Sequence, residues 1–442
     1  MHKDTQSAPI SPEDVTPLIR GRPMHRLQVT VVMLCVAMNI IDGFDVLSMA
    51  FVGPTLSREW GLPPDQLGLL FSAGLAGMGA GALFLSPLAD AIGRRPTILI
   101  CLLMVGCGML ASAFVANATQ LMATRAFTGL GIGAMLSTNI ALVTEYVSAK
   151  RFGLAMGLMA VGFPLGATLG GAAAAALIGS QGWSSVFLLG GGATLAMIPL
   201  VFFLMPESID YLAAKRSPRA FDRADRLLAR LGLPPLDRES RAAGAARGGR
   251  LRALVEQPYR GRALRLGAMF LLVMLSFYFI VNWAPKLAVE AGQPPEAGVL
   301  MGTLLNLAGA VGAVVSGLLV RRFGLRRVTA TAIALMGVGI VLFGFAAGRP
   351  ALLVPVALGL GFMMYATMMG IYPLTTTSFP ASVRVTAVGL ISTAGRIGSV
   401  LGPLLTGLLL AQGLGIVTIG LLLALPALAA AAILLGLDHR DQ

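Results

Sequence analysis

Asp42 and Asp45 stand three residues apart inside the first long apolar stretch of the chain, residues 28–52, where hydrocarbon tolerates carboxylates poorly. One Asp at the centre of a membrane-crossing helix costs roughly 2.5 to 3.5 kcal/mol, so an acid there is expected to have a partner, water or a proton. On a helix the two share a face one turn apart and titrate as a unit. Burial, a second carboxylate and a nearby cation pull a carboxyl's protonation in opposing directions, which are the ingredients of a titratable switch. Arg125, in a later apolar run, needs an anion. Its guanidinium stays charged and offers bidentate geometry, so it can hold a carboxylate and release it when that carboxylate takes a proton. Two plainer readings remain open: Asp42 caps or hydrates a helix broken near Gly43, and Arg125 belongs to a permanently closed ion pair. Arg396 lies in an apolar run of the second half with no acid nearby in its own half, and an uncompensated cation in a cavity wants an anionic guest. Phe44, Tyr278, Asn282, Trp283, Asn306, Tyr365 and Tyr372 fall near the expected midplane and could form a slot for a planar ring. Trp283 also fits an interfacial anchor.

The elements that must carry these residues are membrane helices. The chain has 442 residues, 56% hydrophobic and only 12% charged, with a mean hydropathy of +0.82, values that exclude a soluble globular domain of this size. Apolar runs of the length a bilayer core requires are read at 28–52, 66–89, 97–116, 119–143, 153–178, 183–205, 264–284, 296–320, 328–347, 351–373, 383–411 and 414–436, which predicts twelve transmembrane helices. Cys35, Cys101 and Cys107 fall within these runs and read as small packing residues. His2, His25 and His439 lie in polar tails, so neither a histidine metal site nor a histidine base is expected in the membrane, and no clustered nucleophile indicates an enzyme. The polar start of the chain lacks a short apolar core and cleavage site, and reads as a cytoplasmic tail.

The formal net charge of +13 could point to nucleic acid, but the placement of the charges points to topology instead. Of the 33 lysines and arginines, 28 fall on the side of the termini, against Arg58, Lys286 and Arg349 on the other. The positive-inside rule therefore predicts that both termini are cytoplasmic, with the basic excess facing anionic lipid. A polar stretch at 206–262 divides the chain into six helices plus six. The expected organisation is a tail at 1–27, a six-helix bundle at 28–205, a central loop at 206–262, a second bundle at 263–437 and a tail at 438–442. Within the loop, Phe221 to Arg230 has the spacing of a short amphipathic helix, and Gly244 to Gly249 is expected to be flexible.

The halves resemble each other. Leu88-Ala89-Asp90-Ala91-Ile92-Gly93-Arg94-Arg95 after the second run is echoed about 231 positions on by Leu319-Val320-Arg321-Arg322-Phe323-Gly324-Leu325-Arg326. Gly162, Gly166 and Gly170 in the fifth run are echoed by Gly398, Gly402 and Gly407 in the eleventh, which predicts that these two helices pack closely at the seam. A duplicated six-helix unit is typical of transporters that rock one half against the other.

The loop from Ser86 to Arg95 resembles the signature loop of the major facilitator superfamily, with Ser86 and Ala91 departing from the family's pattern. Arg125 with Gly129, Gly131 and Gly133, the run from Glu145 to Gly153, and Pro206-Glu207-Ser208 are similar to further family patterns. Asp42-Gly43-Phe44-Asp45, together with Arg384, Gly389, Gly395, Arg396 and Gly398, resembles the aromatic acid:proton symporters of that superfamily. The resemblance implies an all-α membrane protein with two pseudo-symmetric six-helix bundles. It implies a proton-coupling group of Asp45, Asp42 and Arg125, with Asp45 and Arg125 as the central pair. It also implies a conformational latch of Asp90, Gly93, Arg94, Arg95, Glu145, Arg151 and Arg384, in which Asp90 faces the start of the eleventh helix, where the helix dipole favours a carboxylate.

The function expected is proton symport of a small aromatic carboxylate of the benzoate or hydroxybenzoate class, with Arg396 holding its carboxylate. The expected setting is the bacterial inner membrane, with the chain acting as a monomer among lipids and needing no cofactor beyond a proton gradient. A sugar or other organic-acid symporter, or a ligand sensor built on the same scaffold, are the alternatives.

Overall fold

The computed structural model describes residues 9–215, 217–237, 259–346 and 349–436. Among the described residues twelve helices are long and apolar enough to cross a membrane, matching the twelve apolar runs, so the chain is a multi-pass membrane protein. They are α1 (Arg26–Glu59), α2 (Pro64–Ile92), α3 (Arg94–Ser112), α4 (Ala118–Tyr146), α5 (Phe152–Gln181), α6 (Ser184–Leu204), α7 (Arg260–Glu290), α8 (Pro295–Phe323), α9 (Leu325–Ala346), α10 (Pro350–Thr377), α11 (Ala381–Ala411) and α12 (Ile416–Leu435). In hydrocarbon every backbone polar group must be satisfied within its own segment, which leaves helices as the solution for runs of this kind. Their ends are set locally. His25 and Gln28 form a reciprocal cap at the start of α1, and the Asn117 side chain caps α4. Gly93 and Gly324 adopt φ of 111° and 86° at the α2–α3 and α8–α9 turns, the same place in the two repeats, in a conformation open to glycine. α1 runs unbroken through Gly43, which removes the reading of a broken helix there.

Small residues set the packing inside each half. α2 meets α4 where Gly77 faces the Ala126 carbonyl and Gly129 faces Gly74, and α8 meets α10 where Gly312 faces Phe362 and Gly361 faces Leu305. α1 lies on α5 through Gly43 at Phe163 and Gly166 at Ile40, and α7 lies on α11 through Gly398 at Leu271 and Gly402 at Leu275. The glycine spacing of α5 and α11 was expected to join those two helices at the seam. It mainly seats each of them on the first helix of its own half, α5 on α1 and α11 on α7.

The seam itself is made by α2 against α11, α5 against α8 and α7 against α1. Its contacts gather toward the end of the molecule away from the termini. Gly68 of α2 touches Pro403 and Gly407 of α11, Gly171 touches Thr303, Gly302 touches Phe51, and the Lys286 ammonium donates to Ser57 Oγ at 2.9 Å. Ser72 donates to the Val400 carbonyl at 2.8 Å. Trp283, fully buried, sets its ring edge-on to Phe71 with centroids 5.4 Å apart. It is a seam residue and neither an interfacial anchor nor part of a ring slot. Toward the other end, Gly153 and Gly157 on α5, Gly317 on α8 and Gly389 on α11 look onto open space. The halves meet distally and part on the side of the termini.

On that side three short helices cover the first bundle: Pro12–Gly21, Ile209–Ala214 and Pro218–Arg230. The last contains the amphipathic segment expected from the sequence. Ile10 pairs with the strand-like stretch at Leu236, Thr16 donates to Asp210 at 3.1 Å and Arg22 donates to the Gly232 carbonyl at 2.7 Å, so the tail and the start of the central loop form one cap. The Gly244 to Gly249 run and the tail at 438–442 lie outside the described residues.

Candidate functional site

Asp42 and Asp45 both point into the interior of the first bundle and are almost fully buried, at 1% and 2% exposure. Asp45 Oδ2 accepts from the Thr194 hydroxyl of α6 at 3.4 Å, and Oδ1 lies against Gly190, where an added Cβ would stand only 3.0 Å away. Asp42 faces Asp45 and Cys101 of α3, and neither of its oxygens has a hydrogen-bond donor among the described residues. It caps nothing.

Arg125 of α4 interacts electrostatically with Asp45, as expected from the sequence, yet the two are not within 4.0 Å of each other. The guanidinium is held elsewhere. Nη2 donates to Ser112 Oγ at 3.0 Å and Thr128 Oγ1 at 3.1 Å, Nη1 reaches Ser48 Oγ at 3.5 Å, and the group stacks 4.9 Å from the Phe187 ring centre. A cavity of about 20 Å³ is lined by Asp45, Arg125 and Met78. That is room for about one water and far too little for a benzoate. The pair is therefore open in this conformation and not a permanently closed structural bridge.

In the second bundle Arg396 is half-buried, with Tyr278 of α7 and Tyr372 of α10 close enough to feel its charge. Tyr372 is 50% exposed and sets its ring edge-on to Phe270 at 5.6 Å. Behind them, Tyr365 lies near Tyr278, stacks edge-on to Phe277 at 5.4 Å and donates to Asn306 Oδ1 at 2.6 Å. Asn282 donates to the Tyr278 carbonyl one turn back. One cation, three tyrosines and two amides are thus brought into one region. Phe44 is not among them. Its ring is buried between α5 and α6 at Gly170 and Gly190, because the helical turn from Asp45 to its neighbour points Phe44 toward the gap those glycines leave.

The signature loop forms a charge cluster under the first bundle. Arg94 pairs with Asp90 at 3.2 Å and with Glu145 at 3.3 Å. Glu207 accepts the backbone N–H groups of Arg94 and Arg95 at 2.8 and 3.2 Å, where the start of α3 favours a carboxylate. Arg95 itself donates to the Phe202 carbonyl. Burial raises the Asp210 carboxyl above its ordinary range, although Thr16, Arg94 and Arg20 pull the other way. Arg151 is exposed, and Arg384 is exposed with its Nε on the Phe379 carbonyl of its own half. Of the expected latch residues, the structure gathers Asp90, Gly93, Arg94, Arg95 and Glu145 and leaves Arg151 and Arg384 outside.

The sequence reading missed Ser48, Ser112, Thr128, Thr194 and Gly190, the residues that fix the charged pair. All four hydroxyls also donate within their own helix, as Ser112 does to Gly108 and Thr194 to Gly190. Serines and threonines do this throughout apolar helices, so no local signal distinguishes them. Asn139 of α4, fully buried with neither amide atom partnered among the described residues, also escaped notice.

The chain is 34% identical to a gallate transporter of Pseudomonas putida over 97% of its own length and 96% of the relative's. It is 30% identical to the 4-hydroxybenzoate transporter PcaK of Acinetobacter baylyi, over 95% and 93%. Its fold superposes on the crystal structure of a D-xylose-proton symporter with a TM-score of 0.73, covering 94% of this chain and 98% of that one at 14% identity, a likeness of fold alone. The family model described as Major Facilitator Superfamily matches residues 33–316 and 266–442, and the chain belongs to that superfamily.

Proposed function

We propose that the chain is a proton-coupled symporter that carries a small aromatic carboxylate by alternating access. The observation that carries the reading is the pairing of two chemistries: a protonatable acid beside a serviced cation, Asp45 and Arg125, in one bundle, and a cation among tyrosines, Arg396, in the other. Relatives of near full length are named for gallate and 4-hydroxybenzoate. Both cargoes join a carboxylate, a planar ring and at least one phenolic hydroxyl. Arg396 suits the carboxylate, Tyr278 and Tyr372 suit the ring, and the Asn306–Tyr365 pair supplies polar atoms for a hydroxyl.

The cycle follows from charge. With the distal side open, the substrate anion meets Arg396 and a proton meets Asp45. The substrate then neutralises Arg396, the proton neutralises Asp45 and frees it from Arg125, and the halves rock to the conformation described here, closed distally and open toward the termini. In it Arg125 rests on Ser48, Ser112 and Thr128, which stabilise the guanidinium while Asp45 is not clamped to it. Asp42, without donors, adds a second site at which a proton relieves the cost of a buried charge. The setting we propose is a bacterial inner membrane with both termini cytoplasmic, the monomer as the working unit, and the proton gradient in place of any cofactor or enzymatic step.

The test is uptake into proteoliposomes with and without an imposed pH gradient, using a competition panel of benzoates, hydroxybenzoates, phenylpropionates, dicarboxylates and sugars. Gradient-stimulated uptake competed by hydroxybenzoates is expected. Sugar uptake without aromatic uptake would overturn the cargo assignment, and saturable binding without flux would leave a sensor.

A further inference from the structure

At the terminal end of the first bundle, between the end of α6 and the helix Pro218–Arg230, lies a cavity of about 520 Å³. Arg223, Arg226 and Arg230 line it from that helix, at spacings of three and four that place them on one face, and Arg95 lines it from α3. The helix is held in place by its opposite face, where Ala220, Phe221, Ala224 and Leu228 are buried. The carboxylate within the cavity, Glu207, already accepts the N–H groups of Arg94, Arg95 and Ser208. Arg223 and Arg230 have no acidic partner among the described residues. Four arginines thus line a space whose one acid among the described residues is already engaged.

The rest of the wall is apolar. Leu27, Phe203 and Leu204 line the cavity, and Phe203 is 78% exposed at the end of a membrane-spanning helix. This surface runs on into the lipid-facing side of α6, where Phe202 is also exposed. A soluble anion would use the arginines and leave that wall bare. An amphiphile uses both. A zwitterionic head would bring an ammonium group toward four cations with no free acid among the described lining residues to receive it.

We propose that this cavity is a binding site for an anionic phospholipid of the leaflet on the side of the termini, with the phosphate on Arg223, Arg226 and Arg230 and an acyl chain along Phe203 and Leu204. Basic pockets beside membrane helices favour anionic headgroups by about 1 kcal/mol per guanidinium, equivalent to about fivefold in affinity. The site anchors the cap to the membrane through the lipid.

The experiment is native mass spectrometry of the full-length protein in mild detergent, equilibrated with equal amounts of phosphatidylglycerol and phosphatidylcholine. The wild type is expected to retain phosphatidylglycerol preferentially. R223Q/R226Q/R230Q, on an exposed face where folding is not at risk, is expected to lose that preference by up to roughly a hundredfold, the product of three such factors. R321Q/R322Q, a basic pair at the end of α8, should keep it. Phe203→Ala should weaken lipid retention, and inorganic phosphate at matched ionic strength should not displace the lipid. The proposal fails if the triple variant retains the wild-type preference or the α8 variant loses as much. Displacement by phosphate together with indifference to Phe203→Ala would assign the site to a soluble phosphate.

Discussion

Gly68→Ala is expected to push the conformational equilibrium away from the distally closed state. At Gly68 an added Cβ would stand 2.8 Å from the Pro403 carbonyl oxygen and 3.1 Å from Gly407 Cα, both backbone atoms of a helix in the other half. Neither can rotate aside, so the two helices must separate by several tenths of an ångström. Overpacking of this kind costs about 1 to 3 kcal/mol, and it applies only while α2 and α11 are in contact. The gain in helix propensity from glycine to alanine, about 1 kcal/mol, applies to both states and cancels. The ratio of closed to open molecules should therefore fall by about 5-fold to 150-fold. Spin labels at Gln66 and Gln412, both exposed near the distal ends of these helices, report that ratio as a distance distribution. Gly192→Ala is the control, because nothing lies within 4 Å of its added carbon. A Gly68→Ala distribution identical to wild type, or an equal change from Gly192→Ala, would refute the argument that this backbone contact seals the seam.

Three further outcomes are expected. Asp45→Asn should abolish the stimulation of uptake by a pH gradient while substrate counterflow continues, as measured in proteoliposomes, and persistence of the stimulation would remove Asp45 from coupling. Arg396→Gln should raise the half-saturating concentration of a hydroxybenzoate by about 30-fold or more, since truncating one member of a buried charge pair costs about 2 to 5 kcal/mol, with Arg396→Lys intermediate; an unchanged value would place the carboxylate elsewhere. For Asp210 the sign follows from a folded carboxyl raised by burial. Its contribution to stability is fully present below the unfolded value of about 3.9 and is lost as pH climbs through the higher folded value. Asp210→Asn should thus unfold at a higher temperature than wild type at neutral pH and at the same temperature in acid, and a lower unfolding temperature at neutral pH would reverse the assignment.

The spans were legible because a bilayer imposes one length and one chemistry on each of them, and Gly93 and Gly324 marked the repeat because their turns require positive φ. The residue types of the charged pair were legible for a similar reason: Asp45 and Arg125 are costly where they stand. Their separation was not, since it is set by Ser48, Ser112, Thr128 and Thr194, whose hydrogen bonds within their own helices look ordinary in sequence. Helix pairing was misread at α5 and α11 because glycine spacing announces a close neighbour without saying which. Trp283 and Phe44 show the same limit. An aromatic residue's depth follows from the run that contains it, but its direction follows from which facing helix leaves a gap.

Asp42 and Asp45 lie in the first bundle, and Arg396 with Tyr278 and Tyr372 in the second. On the proposed cycle the two ligands belong to different repeats, and among the described residues the Met78 carbonyl, reached by Arg396 Nη1 at 3.5 Å, links their neighbourhoods. Energy source and cargo become exchangeable modules. A chimera that keeps residues up to the central loop and takes its second half from a relative of different cargo should inherit the donor's selectivity while keeping this chain's pH dependence, and evolution could retune one without relearning the other.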